Sequence, residues 1–151
     1  MRNFCTFDLH GNRYGVDLSH LRQVLDPMPV TPMPLAPPDF LGLINLRGDL
    51  VTVCSLDAMV GLGESGQHKS RRPLTIILES EPHRFAIFVE RVDTLSVPPE
   101  QVMPIEDPSG VINGMIPNLE PIVWTIQFSG IVARLEQSLS VTSITSVPSQ
   151  T

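Results

Sequence analysis

The chain has 151 residues and a formal net charge of −6, and its basic residues cluster only at Lys69, Arg71 and Arg72. Nucleic-acid binding requires a broad basic surface that neutralises phosphates, so this composition argues against nucleic acid as a partner. Hydrophobic residues make up 42% and charged residues 17%, with 15 prolines and 10 glycines, which is typical of short strands separated by many turns.

The first predicted elements are a hairpin and a short helix. Phe4–Leu9 alternates apolar and polar residues, and Gly11–Asn12 turns it into Arg13–Val16. Asp17 is predicted to cap a helix whose apolar stripe comprises Leu18, Leu21, Val24 and Leu25. Six prolines between Pro27 and Pro38 exclude a central strand and predict extended surface chain or an edge strand.

The most distinctive stretch runs from Leu41 to Leu56. Two apolar, β-prone runs flank Arg47-Gly48-Asp49, and this arrangement favours a hairpin whose tight turn needs positive φ. Ser55 follows the second run and is predicted to cap a short helix that ends at Gly61. Cys5 and Cys54 lie in apolar runs and are expected to be buried free thiols.

This stretch recurs in the second half of the chain, displaced by 72 positions from Gly42 to Gly114. The segment Arg13–Val16 also falls on Arg84–Ile87, at a displacement of 71. A period this long is not that of a solenoid repeat, for which units of roughly 20 to 50 residues are usual. We therefore predict two related β modules that share an apolar interface, because a module of about 70 residues is marginally stable alone.

The remaining elements complete the second module. Strands are predicted at 74–78, 85–89, 92–97, 111–116 and 122–128. Ser129 is expected to cap a closing helix that carries Val132, Leu135 and Leu139 on one side. The predicted organisation is a single domain over 4–139, with modules at 4–66 and 67–139, and a flexible tail at 140–151.

The sequence provides no support for catalysis. The histidines show no metal-ligand spacing, no G-x-S-x-G motif occurs, and Ser55 is interpreted as a helix cap. No signal-peptide core and no apolar run of about 18 residues occur, which predicts a cytoplasmic protein with no direct membrane insertion. We expect a non-enzymatic protein with no cofactor and no metal.

The run Gly42-Leu43-Ile44-Asn45-Leu46-Arg47-Gly48-Asp49-Leu50-Val51 resembles the G-x-x-N-L-R-G-x-x-V core of CheW-like domains, the adaptor modules of bacterial chemotaxis arrays. Three other segments are similar to family elements in the same order: Phe7–Val16 to its opening strands, Phe85–Val92 to its G-x-x-V-D-x-V strand, and Ile112–Gly114 to its late I-x-G element. The resemblance covers roughly residues 4 to 139.

The resemblance implies an all-β fold with short helices, built from two packed five-stranded SH3-like β-barrels. It also implies an adaptor that links the cytoplasmic tip of a methyl-accepting chemoreceptor to the regulatory module of a histidine kinase. Partner-binding residues are predicted in the hairpin: Leu43, Asn45, Arg47, Gly48, Asp49 and Val51.

Several alternatives stay open from sequence. Arg47 is either a structural strut that holds a nearby carboxylate or carbonyl, or an interface anchor, and Gln23 replaces the acidic residue that commonly pairs with it in the family. Leu43, Ile44, Val51 and Val53 are predicted mainly as core residues, with groove lining as the alternative. Two alternative functions are a small-molecule-binding β-barrel and a divergent assembly module without kinase coupling.

Overall fold

The computed structural model describes residues 1–61 and 74–138. The basic cluster, the junction between the predicted modules at 66 and 67, and the predicted tail at 140–151 lie outside the described residues. The strands are β1 Arg2–Leu9, β2 Asn12–Asp17, β3 Leu21–Leu25, β4 Phe40–Leu46, β5 Asp49–Cys54, β6 Leu74–Ser80, β7 His83–Val89, β8 Val92–Val97, β9 Met103–Pro104, β10 Ile112–Ile116 and β11 Val123–Ile126. Helix α1 is Leu56–Met59, residues 128–138 form helix α2, and 3-10 helices span Leu18–His20 and Pro99–Gln101.

The strands form two sheets. One has six strands in the order β8-β1-β2-β11-β10-β9, and the other has five in the order β3-β6-β7-β5-β4. The predicted all-β class with short helices and two β units is confirmed. The six-stranded sheet exceeds the expected five because the two-residue strand β9 pairs with β10.

Each sheet combines strands from both halves of the chain. The hairpin β1–β2 pairs with β8 and β11, whereas the hairpin β6–β7 pairs with β3 and β5. The predicted modules at 4–66 and 67–139 therefore do not correspond to the two sheets. The N-terminal hairpin of each repeat has been exchanged, which ties the two units together through backbone hydrogen bonds.

The pairing registers reproduce the sequence repeat. Thr31 pairs with Leu43, and Met103 pairs with Met115, so both partners are displaced by 72 positions. A register shift follows Phe40 in β4 and also Ile112, the equivalent residue of β10. The two halves are thus related in three dimensions as well as in sequence.

The largest hydrophobic cluster contains residues of both sheets, as the predicted shared interface requires. It includes Phe7 of β1 and Phe85 of β7, both 1% exposed. The Phe85 ring stacks on Phe128 of α2 with centroids 4.9 Å apart. Two smaller clusters lie within single sheets: Ile44, Leu46, Val51, Val53, Ile77 and Ala86 in the five-stranded sheet, and Phe4, Val97, Ile116 and Val123 in the six-stranded sheet.

The two cysteines are buried free thiols, as predicted. Burial raises the pKa of the Cys5 thiol to about 11 and that of Cys54 further still. Because the thiolate is the reactive form, both side chains act as small hydrophobic core residues in the folded protein.

Two local predictions are wrong. The helix expected to carry Leu18, Leu21, Val24 and Leu25 is a single 3-10 turn at Leu18–His20, followed by strand β3, which pairs with β6. A register shift between Leu21 and Gln23 interrupts the strand alternation, so the apolar spacing resembles that of a helix. Ser129 is not the cap of α2, because this helix already begins at residue 128.

Candidate partner-binding hairpin

The hairpin β4–β5 is confirmed and has a two-residue turn. Leu46 pairs with Asp49, and the turn residues Arg47 and Gly48 have φ of +54° and +92°. Positive φ at both positions is the type I′ pattern that matches the twist of paired strands. The Asn45 side-chain oxygen accepts a hydrogen bond from the Gly48 N–H at 2.7 Å, so Asn45 helps to fix the turn.

The two faces of the hairpin differ in burial. Ile44, Val51 and Val53 are 1%, 3% and 0% exposed, and they lie in the core cluster of the five-stranded sheet. The core interpretation is therefore correct for these three residues. Val51 supports the hairpin from inside and offers no side-chain surface to a partner. Leu43 is half-buried on the opposite face.

The tip of the hairpin exposes charged and apolar side chains together. Arg47 is exposed, and within residues 1–61 and 74–138 its guanidinium has no ion pair and no hydrogen bond. Asp49 lies 3.8 Å from the Arg84 guanidinium, and both residues are exposed. Leu50 is 68% exposed. The structure gives Arg47 no strut role through any described residue, Gln23 included.

The proline-rich segment 27–38 runs beside β4 as extended surface chain, as predicted. Thr31 and Leu43 exchange two backbone hydrogen bonds of 2.8 and 2.9 Å. The next residue after the segment, Asp39, is 6% exposed, and its carboxylate accepts hydrogen bonds from Arg134 at 3.3 and 3.4 Å and from Ser138 at 3.0 Å. Asp39 therefore ties the start of β4 to helix α2.

A pair formed by the partly buried His10 and the buried Asp57 lies away from the hairpin. His10 Nε2 is 3.0 Å from Asp57 Oδ2, and this contact joins the β1–β2 turn to helix α1. The nearby Ser55 hydroxyl accepts a hydrogen bond from the Ala58 N–H at 3.3 Å, which confirms the predicted cap. Among the described residues no group of three His, Cys, Asp or Glu side chains could hold a metal ion.

None of the helices in the described part of the chain has the length and apolar character that a membrane span requires. Two strand-exchanged β units and a hydrogen-bonded, exposed hairpin turn define a mostly β domain of two units. The chain belongs to the CheW-like domain family, whose model matches residues 3–148.

Two curated relatives share this assignment. The chain is 27% identical over 113 residues to the chemotaxis protein CheW of Treponema pallidum (strain Nichols), and 27% identical over 107 residues to that of Rhizobium meliloti (strain 1021). These alignments cover 73% and 70% of this chain, and 65% and 68% of the two relatives.

A solved structure has the same fold. The crystal structure of the scaffolding protein TtCheW from Thermoanaerobacter tengcongensis matches with a TM-score of 0.71 and 23% sequence identity. The match covers 83% of this chain and 88% of TtCheW.

Proposed function

We propose that this protein is a non-enzymatic chemotaxis adaptor that couples chemoreceptors to a histidine kinase in the cytoplasm, as a single domain over residues 4–139. Family membership supports the adaptor class. The observation that carries the proposal is the exposed tip of the β4–β5 hairpin, where Arg47 has no bonding partner among the described residues. The partners we propose are the regulatory module of the kinase and the cytoplasmic tip of the receptor.

The hairpin is suited to anchoring a partner through Arg47. The type I′ turn and the Asn45–Gly48 hydrogen bond fix the backbone, so little backbone ordering remains to be done on binding. A guanidinium offers five donors and is enriched at interface centres. In this account Arg47 is the anchor, Asn45 and Gly48 shape the turn, Asp49 and Leu43 flank it, and Val51 supports it from the core.

A small-molecule-binding β-barrel has less support. Buried apolar side chains fill the core cluster of the five-stranded sheet, including Ile44, Val53 and Ile77 at 1% exposure or less. The clefts at the surface are open and lined partly by charged side chains such as Arg2 and Asp17. A ligand pocket usually encloses most of the ligand's surface, whereas these clefts are open to solvent.

Arg47→Ala is expected to weaken binding to the kinase regulatory module at least tenfold, which corresponds to about 1.4 kcal/mol. The melting temperature should stay that of the wild type, because Arg47 makes no bond within the described chain. Calorimetric titration with the module from the same genome measures the affinity, and a thermal melt measures the stability.

Arg91→Ala is the matched control, since Arg91 is 76% exposed and lies outside the hairpin. It should bind like the wild type. An Arg47→Ala protein that melts and binds like the wild type would show that Arg47 is neither anchor nor strut. A lower melting temperature would instead show that Arg47 acts as a strut.

A further inference from the structure

The segment 27–38 presents an exposed apolar strip. Its twelve residues include six prolines and no charged side chain, in a chain that is 17% charged. Its exposed residues include Pro29, Val30, Thr31, Pro32, Pro34 and Leu35. Exposed apolar residues close together in the chain make this segment a candidate interaction surface.

Leu35 is the most unusual residue of the strip. It is 98% exposed, so its side chain packs against none of the residues that the structure describes. It also has φ of +59° and occupies the third position of a turn in which the Ala36 N–H donates to the Met33 carbonyl. With Pro34 before it, this is a type II turn, whose third position favours glycine or asparagine. Leucine there is strained, and the fold gains no contact from its side chain.

The chain on either side of Leu35 is firmly held. Thr31 is hydrogen-bonded to Leu43, and the Phe40 N–H donates to the Pro37 carbonyl at 3.0 Å. Met33 and Ala36 pack against the main hydrophobic cluster. The anchored turn therefore directs the Leu35 side chain outward into solvent. Backbone strain that persists in an otherwise well-anchored segment is a recurrent feature of functional sites.

We infer that Leu35 is a docking residue that inserts into a nonpolar groove on the regulatory module of the histidine kinase. This inference rests on the proposed function. The segment adjoins the hairpin that is proposed to anchor the kinase module through Arg47, so the same module is the expected occupant. Proline-rich strips are recognised by grooves lined with aromatic side chains, so we expect that lining. The strip is continuous with the hairpin, because Thr31 pairs with Leu43 of β4.

The contact made by Leu35 and the contact made by Arg47 should depend differently on ionic strength. With no charge between residues 27 and 38, the part of the affinity that Leu35 provides should not change with ionic strength. The part that Arg47 provides should weaken as salt is raised. The two contacts can therefore be separated in one set of titrations.

The test is calorimetric titration of the kinase regulatory module into the wild type and the Leu35→Gly variant, at low and at roughly 0.5 M ionic strength. Leu35→Gly should raise the Kd at least tenfold at both salt concentrations while melting at the wild-type temperature or higher. Leu35→Asn, which tolerates positive φ, should behave in the same way. Leu35→Met should bind close to the wild type, because it keeps an apolar side chain.

Met103→Ala is the control, because Met103 is an apolar residue, 48% exposed, at the equivalent edge of the six-stranded sheet. It should leave the affinity unchanged. If the wild type binds the kinase module and Leu35→Gly binds it equally well, this inference alone is overturned. Absence of wild-type binding would overturn the proposed function and this inference with it.

Two further outcomes would also overturn the inference. One is that Leu35→Gly weakens binding to the receptor tip and leaves kinase binding intact. The other is that the wild type cosediments with vesicles of phosphatidylcholine and phosphatidylglycerol and Leu35→Gly does not, which would assign Leu35 to a lipid surface. A drop in the melting temperature of Leu35→Gly would overturn the inference as well, because it would show that the side chain packs within the fold.

Discussion

Phe85→Ala is expected to lower the free energy of unfolding by about 4 kcal/mol, the range found for deleting a buried phenylalanine. Phe85 is 1% exposed and lies in the cluster that contains residues of both sheets. Its ring also stacks on Phe128, so the deletion removes contact with α2 as well as with the sheets. Urea denaturation followed by circular dichroism and by the fluorescence of Trp124 measures the loss.

The same experiment tests whether the two exchanged units unfold together. Trp124 lies in β11 of the six-stranded sheet, whereas Phe85 lies in β7 of the five-stranded sheet. If the units are one cooperative structure, the tryptophan transition must shift with the circular dichroism transition. Phe88→Ala, a half-buried position on the same strand, should produce a smaller loss. A tryptophan transition that does not move would contradict the shared core.

Gly42→Ala is expected to lower the free energy of unfolding by about 3 kcal/mol, because two unfavourable effects add. Gly42 has φ of +153°, a conformation that residues with a side chain rarely adopt. A Cβ at this position would also collide with the carbonyl oxygen of Thr31. The substitution therefore pushes the proline-rich segment away from β4 and strains the backbone of the strand.

Gly11→Ala separates these two effects. Gly11 has φ of +77°, and a Cβ there would meet no atom within 4 Å. Gly11→Ala should lower the free energy of unfolding by about 1 kcal/mol, from backbone strain alone. Gly114→Ala, at the equivalent position of the second repeat, should again be severe, since its Cβ would lie 2.7 Å from Thr125 Oγ1 and 2.9 Å from the Met103 carbonyl oxygen. Equal losses for Gly42→Ala and Gly11→Ala would contradict the close approach.

Local patterns predicted most strands and the central hairpin. Two β-prone runs around Arg47-Gly48 identify a tight hairpin because the flanking strands restrict which turns fit. The exchange of hairpins was not predictable in the same way. The repeat shows that Gly42 and Gly114 are equivalent, but nothing local decides whether β2 joins the sheet of its own half or that of the other half.

The error at residues 21–25 has a physical cause. Leu21, Val24 and Leu25 have helical spacing, yet β3 gains backbone hydrogen bonds with β6 that a short isolated helix would lack. The register shift after Leu21 is what allows this spacing in a strand. Tertiary pairing therefore overrides the local periodicity.

The candidate site was partly predictable. The family-like core identified Asn45, Arg47 and Asp49, all exposed at the hairpin tip, together with Val51, which proves to be buried. Leu50 was missed because Leu50 and Val51 are adjacent apolar residues. The sequence alone does not indicate which of the two faces the core. Leu35 was missed because positive φ at a leucine has no signal in sequence beyond the preceding Pro34.

The most direct test of the adaptor account is a three-component retention experiment. The cytoplasmic tip of a chemoreceptor from the same genome is immobilised, and the regulatory module of the histidine kinase is passed over it with and without this protein. We predict that the kinase module is retained only when this protein is present, and that Arg47→Ala reduces the retention. Retention that does not depend on this protein, or no retention in its presence, would contradict its role as the link between receptor and kinase.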